Sequence, residues 1–187
     1  MKTIKKEFEV YTFEELSKEA QFKAYKDAYD SDYMEPIIEQ MNNELENTFA
    51  DFCKHYHIKV EYEVNSLDYS FTIKENRNTD NNIFLITRGK KLYNYFKEKY
   101  EEVNGYITVY SDNKLTEKIK EYLNNYKTDK DVKDKTFFKV ITEALVLFFE
   151  TWKKSIQYYL SFEHYKEDVI SNEIYFFKDG REFIDNF

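Results

Sequence analysis

Cys53, His55 and His57 are the residues whose types and spacing most invite chemistry. A thiol and two imidazoles so close together suggest part of a tetrahedral metal set. On a helix, Cys53 and His57 share a face because they lie four apart, while His55 points away. The only other histidine, His164, is remote in sequence, and no second Cys or His cluster completes four ligands. Asp51 and His55 are also four apart, a spacing that a surface hydrogen bond explains equally well. A Cys–His nucleophile needs a base oriented by a third group, and nothing marks one. Carboxylates are too numerous for any pair to be specific for hydrolysis. The chain has three glycines, Gly89, Gly105 and Gly180, with no two close together. A phosphate-cradling loop needs them clustered, so P-loop and dinucleotide-binding readings are closed. The chain reads as non-enzymatic, with no cofactor and no metal.

Charge is the stronger signal. Between Glu14 and Asp51 there are eleven acidic residues against three basic ones, Lys18, Lys23 and Lys26. That segment's net charge of −8 equals the net charge of the whole chain, so the remainder balances. From Asp27 to Cys53 there is no Lys or Arg at all. At ~100° per residue, Glu35, Glu39 and Glu46 fall within about 40° of one another on a helix, beside its apolar stripe. Such a field steers a basic partner and repels nucleic acid. Asp30, Asp32, Glu35, Glu39 and Glu46 are therefore the candidate partner-binding residues, and a nucleic-acid-binding host protein such as a nuclease is the natural target. The bland alternative is an ordinary solvated acidic helix. The aromatic run Tyr93 to Tyr100 suits base stacking in principle, but its acidic neighbours favour helix core.

Several elements must hold these residues in place. Ile4, Lys6, Phe8 and Val10 alternate with charged residues as in a half-buried strand. Thr12 and Glu15 form a capping box that starts a helix, with Phe13, Leu16, Ala20, Ala24 and Ala28 on its packed face. A longer helix begins near Pro36, and its stripe is Ile38, Met41, Leu45, Phe49, Phe52 and Tyr56. Val60–Val64 and Tyr69–Ile73 alternate as strands around an Asn65-Ser66 turn, and Ile83–Thr87 is a further strand. Helices follow around Leu92–Val103 and Leu115–Leu123, with a short strand at Tyr106–Tyr110 between them. Glu75–Asn82 and Asn124–Lys135 read as polar loops and secondary candidate contacts. Phe137 to Phe162 is the stripe of a long helix continuing to about Tyr165. Lys139, Glu143 and Glu150 interrupt it well short of the ~20 apolar residues of a membrane span. Asp179-Gly180 is the favoured dipeptide of a two-residue hairpin turn. The expectation is one α+β domain over residues 1–187, with room for an insertion. Its antiparallel sheet comes from the terminal and central strands, packed against several helices. One cysteine and a basic start with no apolar segment after it point to a reducing, intracellular setting without a signal peptide.

Two segments together resemble a family of small bacteriophage and prophage accessory proteins. One is Tyr11-Thr12-Phe13-Glu14-Glu15-Leu16-Ser17-Lys18-Glu19-Ala20; the other runs from Asn172-Glu173-Ile174-Tyr175-Phe176-Phe177 to Lys178-Asp179-Gly180. They match that family's opening and its closing strand with an Asp-Gly signature. Ser66-Leu67-Asp68-Tyr69-Ser70-Phe71 lacks the glycines of its middle segment. The resemblance implies a phage-type accessory protein, a class that includes inhibitors of host defence and anti-CRISPR proteins, and it brings no catalytic residues. Together with the charge, it implies an inhibitor that binds a basic nuclease such as a CRISPR effector in the bacterial cytoplasm. The alternatives are a small phage enzyme or nucleic-acid-processing factor with an unrecognised site, or an antitoxin-like component.

Overall fold

The structure, a computed structural model, describes residues 7–31, 35–65, 67–75, 88–103 and 112–184. These form an α+β protein of mainly helical content. The chain gathers into two compact units: Met1–Gln40 with Ile156–Phe187, and Met41–Ser155. The first is built from both ends of the chain and the second from its middle.

In the first unit, β1 (Tyr11–Thr12) pairs antiparallel with β4 (Tyr175–Phe176), Tyr11 opposite Phe176 and Thr12 opposite Tyr175. The strand expected from Ile4 to Val10 is corrected over its second half, because residues 7–10 lie in no strand. Residues 4–6 of that expectation fall outside the described residues. Phe8 is 46% exposed. Its ring meets Phe177 at 6.2 Å and Phe183 at 5.7 Å, so the apolar alternation serves a surface ring cluster rather than a buried strand face.

Thr12 does pair with Glu15. Its N–H donates to the Glu15 carboxylate at 2.8 Å and its hydroxyl does so at 3.1 Å. That arrangement opens only a single 3-10 turn, Phe13–Glu15. The α-helix proper, α1 (Lys18–Tyr29), starts afresh at Ser17, whose hydroxyl accepts from the Ala20 N–H. Leu16, extended between the two, explains the split: its side chain and that of Phe13 both enter the core. Gln21 ties the turn to the helix by donating to the Phe13 carbonyl at 2.8 Å.

The core of this unit joins Phe13, Leu16, Ala20 and Ala24 to Tyr165, Val169 and Phe176. Tyr165 and Val169 come from α7 (Phe162–Ser171), which the helical stripe past Phe137 did not separate from its predecessor. Ser161 makes the separation, accepting from the His164 N–H and starting a new helix. The C-terminal hairpin is also corrected. Gly180 N–H closes a turn on the Phe177 carbonyl, and Phe177 N–H then bonds the Arg181 carbonyl at 2.8 Å. The loop is therefore three residues, Lys178 to Gly180, with Gly180 left-handed at φ 87°. A three-residue loop needs that conformation at its last position, which glycine supplies.

α2 (Glu35–His55) and α6 (Phe137–Tyr159) each run from one unit into the other along the chain. In the second unit, β2 (Ile58–Val64) pairs antiparallel with β3 (Tyr69–Glu75) over seven residue pairs, Ile58 opposite Glu75 to Val64 opposite Tyr69. The terminal and central strands thus make two separate sheets of two strands each. α3 (Gly89–Val103), α4 (Asp112–Asn125) and a four-residue α5 (Lys130–Lys133) complete the elements. The loop expected over Asn124–Lys135 is corrected by α4's last turn and by α5, which Asp129 caps and whose Val132 is buried. The strands expected at Ile83–Thr87 and Tyr106–Tyr110 lie outside the described residues.

Met41, Leu45, Phe49 and Phe52 of α2 are buried, as are Leu92 and Phe96 of α3 and Leu115, Ile119 and Tyr122 of α4. Ile38, expected in the stripe of α2, is 40% exposed. α6 buries Phe137, Val140, Ile141, Ala144, Leu145, Phe148, Phe149 and Trp152. Within the aromatic run of α3, buried Phe96 stacks on Phe137 at 5.6 Å, and half-buried Tyr93 on Tyr126 at 4.5 Å. No helix among the described residues is long and apolar enough to cross a membrane.

Gly180 offers a test of this packing. A Cβ there collides with the Ala20 carbonyl oxygen, and the left-handed φ disfavours any L side chain. Gly180→Ala is expected to lower unfolding stability by about 2–4 kcal/mol in urea titration. Gly89→Ala, with open space around its Cβ, carries only the backbone cost of about 1–2 kcal/mol.

Candidate functional site

α2 forms as its sequence dictates. Pro36 sits in the first turn, where its missing N–H costs nothing. The last turn closes with Tyr56 N–H on the Phe52 carbonyl and His57 N–H on that of Lys54. Glu35 and Glu39 lie on its opening turns, in the first unit, and Glu46 lies in the second. All three are exposed. Asp30, also exposed, follows the last residue of α1 and bonds the Lys26 carbonyl through its N–H. Asp32 lies outside the described residues.

Six described acids stand beside cations: Asp27 with Lys23, Glu61 with Lys59 and Lys74, Glu117 with Lys114, Glu121 with Lys118, Glu143 with Lys135, and Asp179 with Arg181. None of Asp30, Glu35, Glu39 and Glu46 forms an ion pair with a described cation. A cation at the helix surface normally comes from three or four residues away. Glu35, Glu39 and Glu46 have none at those spacings, and Lys26, four residues before Asp30, forms no ion pair with it. The Glu46 charge is felt at Tyr62, whose hydroxyl is raised above its ordinary pKa first by burial and then by that carboxylate. Of the secondary candidate loops, residues 76–82 lie outside the described residues, and Asn124–Lys135 is the segment occupied in part by α4 and α5.

His55 parts from Cys53 and His57 in space. His55 Nε2 lies 2.8 Å from the Lys99 carbonyl oxygen. Cys53 and His57 both line an open cavity between α2 and β2. His57 reaches it from the left-handed residue that ends the helix, φ 53°. No group of three His, Cys, Asp or Glu among the described residues is placed to hold a metal ion. Cys53 is half-buried, and a hydrogen bond from the Val60 backbone meets its sulfur. Burial pushes its pKa up to about 11, outweighing that bond. The result is a neutral, sluggish thiol, opposite to what a nucleophile or metal ligand requires. The cavity went unread in the sequence. Its only signal is the four-residue spacing of Cys53 and His57 next to the alternation of Val60 and Tyr62.

Fold and site together define a mainly helical α+β protein with exposed carboxylates at Asp30, Glu35, Glu39 and Glu46 that no described cation pairs. No protein-family model, curated protein or solved structure matches the chain.

The thiol makes a signed prediction. A cysteine ordinarily titrates near ~8.5, so folding raises the Cys53 pKa. Its contribution to stability is then full below about 8.5 and is lost as pH climbs toward 11. Over that window the wild type should lose more unfolding free energy than Cys53→Ala, measured by urea titration. Equal slopes would remove the perturbed thiol.

Proposed function

We propose that this chain is a phage-type inhibitor of a host defence system, similar in kind to anti-CRISPR proteins. It acts by binding a basic, nucleic-acid-binding nuclease in the bacterial cytoplasm. The observation that carries the reading is the set of exposed carboxylates at Asp30, Glu35, Glu39 and Glu46, none of which is matched by a described cation. Exposed carboxylates that no described cation matches raise the encounter rate with a basic surface, and they discourage nucleic acid from binding in its place. The resemblance of the two chain ends to phage accessory proteins supplies the setting. The mechanism needs no covalent chemistry: carboxylates occupy basic groups with which the nuclease would hold its nucleic acid. Rim charges of this kind govern association rate and salt dependence more than residence time.

The triple variant Glu35→Lys, Glu39→Lys, Glu46→Lys is expected to stay folded, because these side chains are exposed beside the buried stripe. Its melting temperature should remain within a few degrees of wild type. Captured host nuclease should fall at least about tenfold, and wild-type capture should weaken between low and moderate salt. Undiminished capture by the variant removes α2 from the interface. Metal-dependent turnover that single carboxylate substitutions abolish overturns the binding-protein reading in favour of an enzyme.

A further inference from the structure

The cavity between α2 and β2 has a volume of 630 Å³, inside the ~300–1,000 Å³ range of small-molecule sites. Its apolar floor is made by Phe49, Ile58 and Val60, all buried, together with the half-buried Cys53. Its ends differ in charge. Glu46 stands at one end with Tyr62, whose titration it perturbs. Lys54, His57 and Lys59 stand at the other, where the chain turns from α2 into β2. Glu46 and Lys54 are eight residues apart on the helix, about 12 Å at ~1.5 Å per residue.

We propose that this cavity binds an elongated apolar molecule with one anionic end, of the alkyl carboxylate class. The hydrocarbon lies along Phe49, Val60 and Cys53, and the carboxylate meets Lys54, Lys59 and the His57 imidazole. Three features favour that polarity. The lysine bridge that competes for Lys59, to Glu61 at 3.5 Å, is solvent-exposed and therefore weak. Two of the last four helix carbonyls, which would repel an anion at this end, are occupied, His57 N–H bonding that of Lys54 and Tyr56 N–H that of Phe52. The thiol in the floor carries no charge near neutral pH. At the opposite end, Glu46 repels a carboxylate and so sets the ligand's direction.

Cys53 is the only cysteine in the chain, so its alkylation reports on this cavity alone. The test measures the rate of iodoacetamide modification of the full chain with decanoate, decyltrimethylammonium or acetate. Calorimetry supplies the Kd. Decanoate should slow modification saturably, roughly tenfold near ten times its Kd, while the other two leave the rate unchanged. Ala50→Trp, which fills the opening from an exposed position, should abolish the protection. The double variant Lys54→Glu, Lys59→Glu should weaken decanoate at least about tenfold and admit the ammonium probe instead. Equal protection by both long-chain probes, or none by decanoate, overturns the proposal. So does protection that survives a folded Ala50→Trp variant; should that variant not fold, the charge-reversed pair decides. None of the three substituted residues belongs to the acidic docking set, and Glu46, which the two readings share, is left unchanged, so the two readings fail independently.

Discussion

Phe149 is the point at which the second unit is held together. It is fully buried on α6, and its ring meets Phe49 and Phe148 at 5.4 Å, Tyr62 and Phe71 at 5.5 Å, and Tyr69 at 5.7 Å. Those partners come from α2, β2, β3 and α6 itself. A two-stranded hairpin is marginal alone in water; here one ring supports both strands and a helix. Aromatic pairs at these separations add about 0.5–1.5 kcal/mol each beyond the area they bury. The same device recurs in the first unit, where Phe13 meets Phe162, Tyr165 and Phe176 at 6.0, 5.7 and 5.6 Å. Broad rings let short strands and a single turn of 3-10 helix be anchored without a long sheet.

That division of labour shapes the surface. Because α2 spends Met41, Leu45, Phe49 and Phe52 on the core, its remaining faces are open to carry charge without harm to the fold. The chain uses that freedom one-sidedly, with acids and no cations from Asp27 to Cys53. On α4 the equivalent freedom is used evenly, each of Glu117 and Glu121 standing three residues from a lysine. The contrast is one of composition and not of geometry. The cavity beside β2 arises from the opposite circumstance. There the helix's end and the strand's start diverge from the tight left-handed bend at His57, leaving apolar walls with polar ends.

Much of this was legible in advance. The period of Met41, Leu45, Phe49 and Phe52 marked α2 and its buried side, and the alternation of Val60, Tyr62 and Val64 with Tyr69, Phe71 and Ile73 marked β2 and β3. The exposure of Glu35, Glu39 and Glu46 followed from the same periodicity. What misled were local signals with more than one outcome. Thr12 with Glu15 can open a full helix or one 3-10 turn, and Ser17 decided for the turn. Asp179-Gly180 can centre a two-residue loop or close a three-residue one, and the Phe177–Gly180 bond decided for the second. Helical stripes do not reveal a change of axis, so the restart at Ser161 stayed hidden in the run from Phe137.

By itself, the sequence determined which residues are apolar at helical or strand spacing, and where charge is left unbalanced. Both are properties of neighbours along the chain, within reach of periodicity and counting. Only the tertiary structure decided that the terminal strands pair with each other while the central ones pair among themselves. It also decided that His55 meets the Lys99 carbonyl while Cys53 and His57 share a cavity. The physical reason is that strand pairing, ring contacts and cavities join residues distant in sequence, and no local pattern records which partner the packing selects.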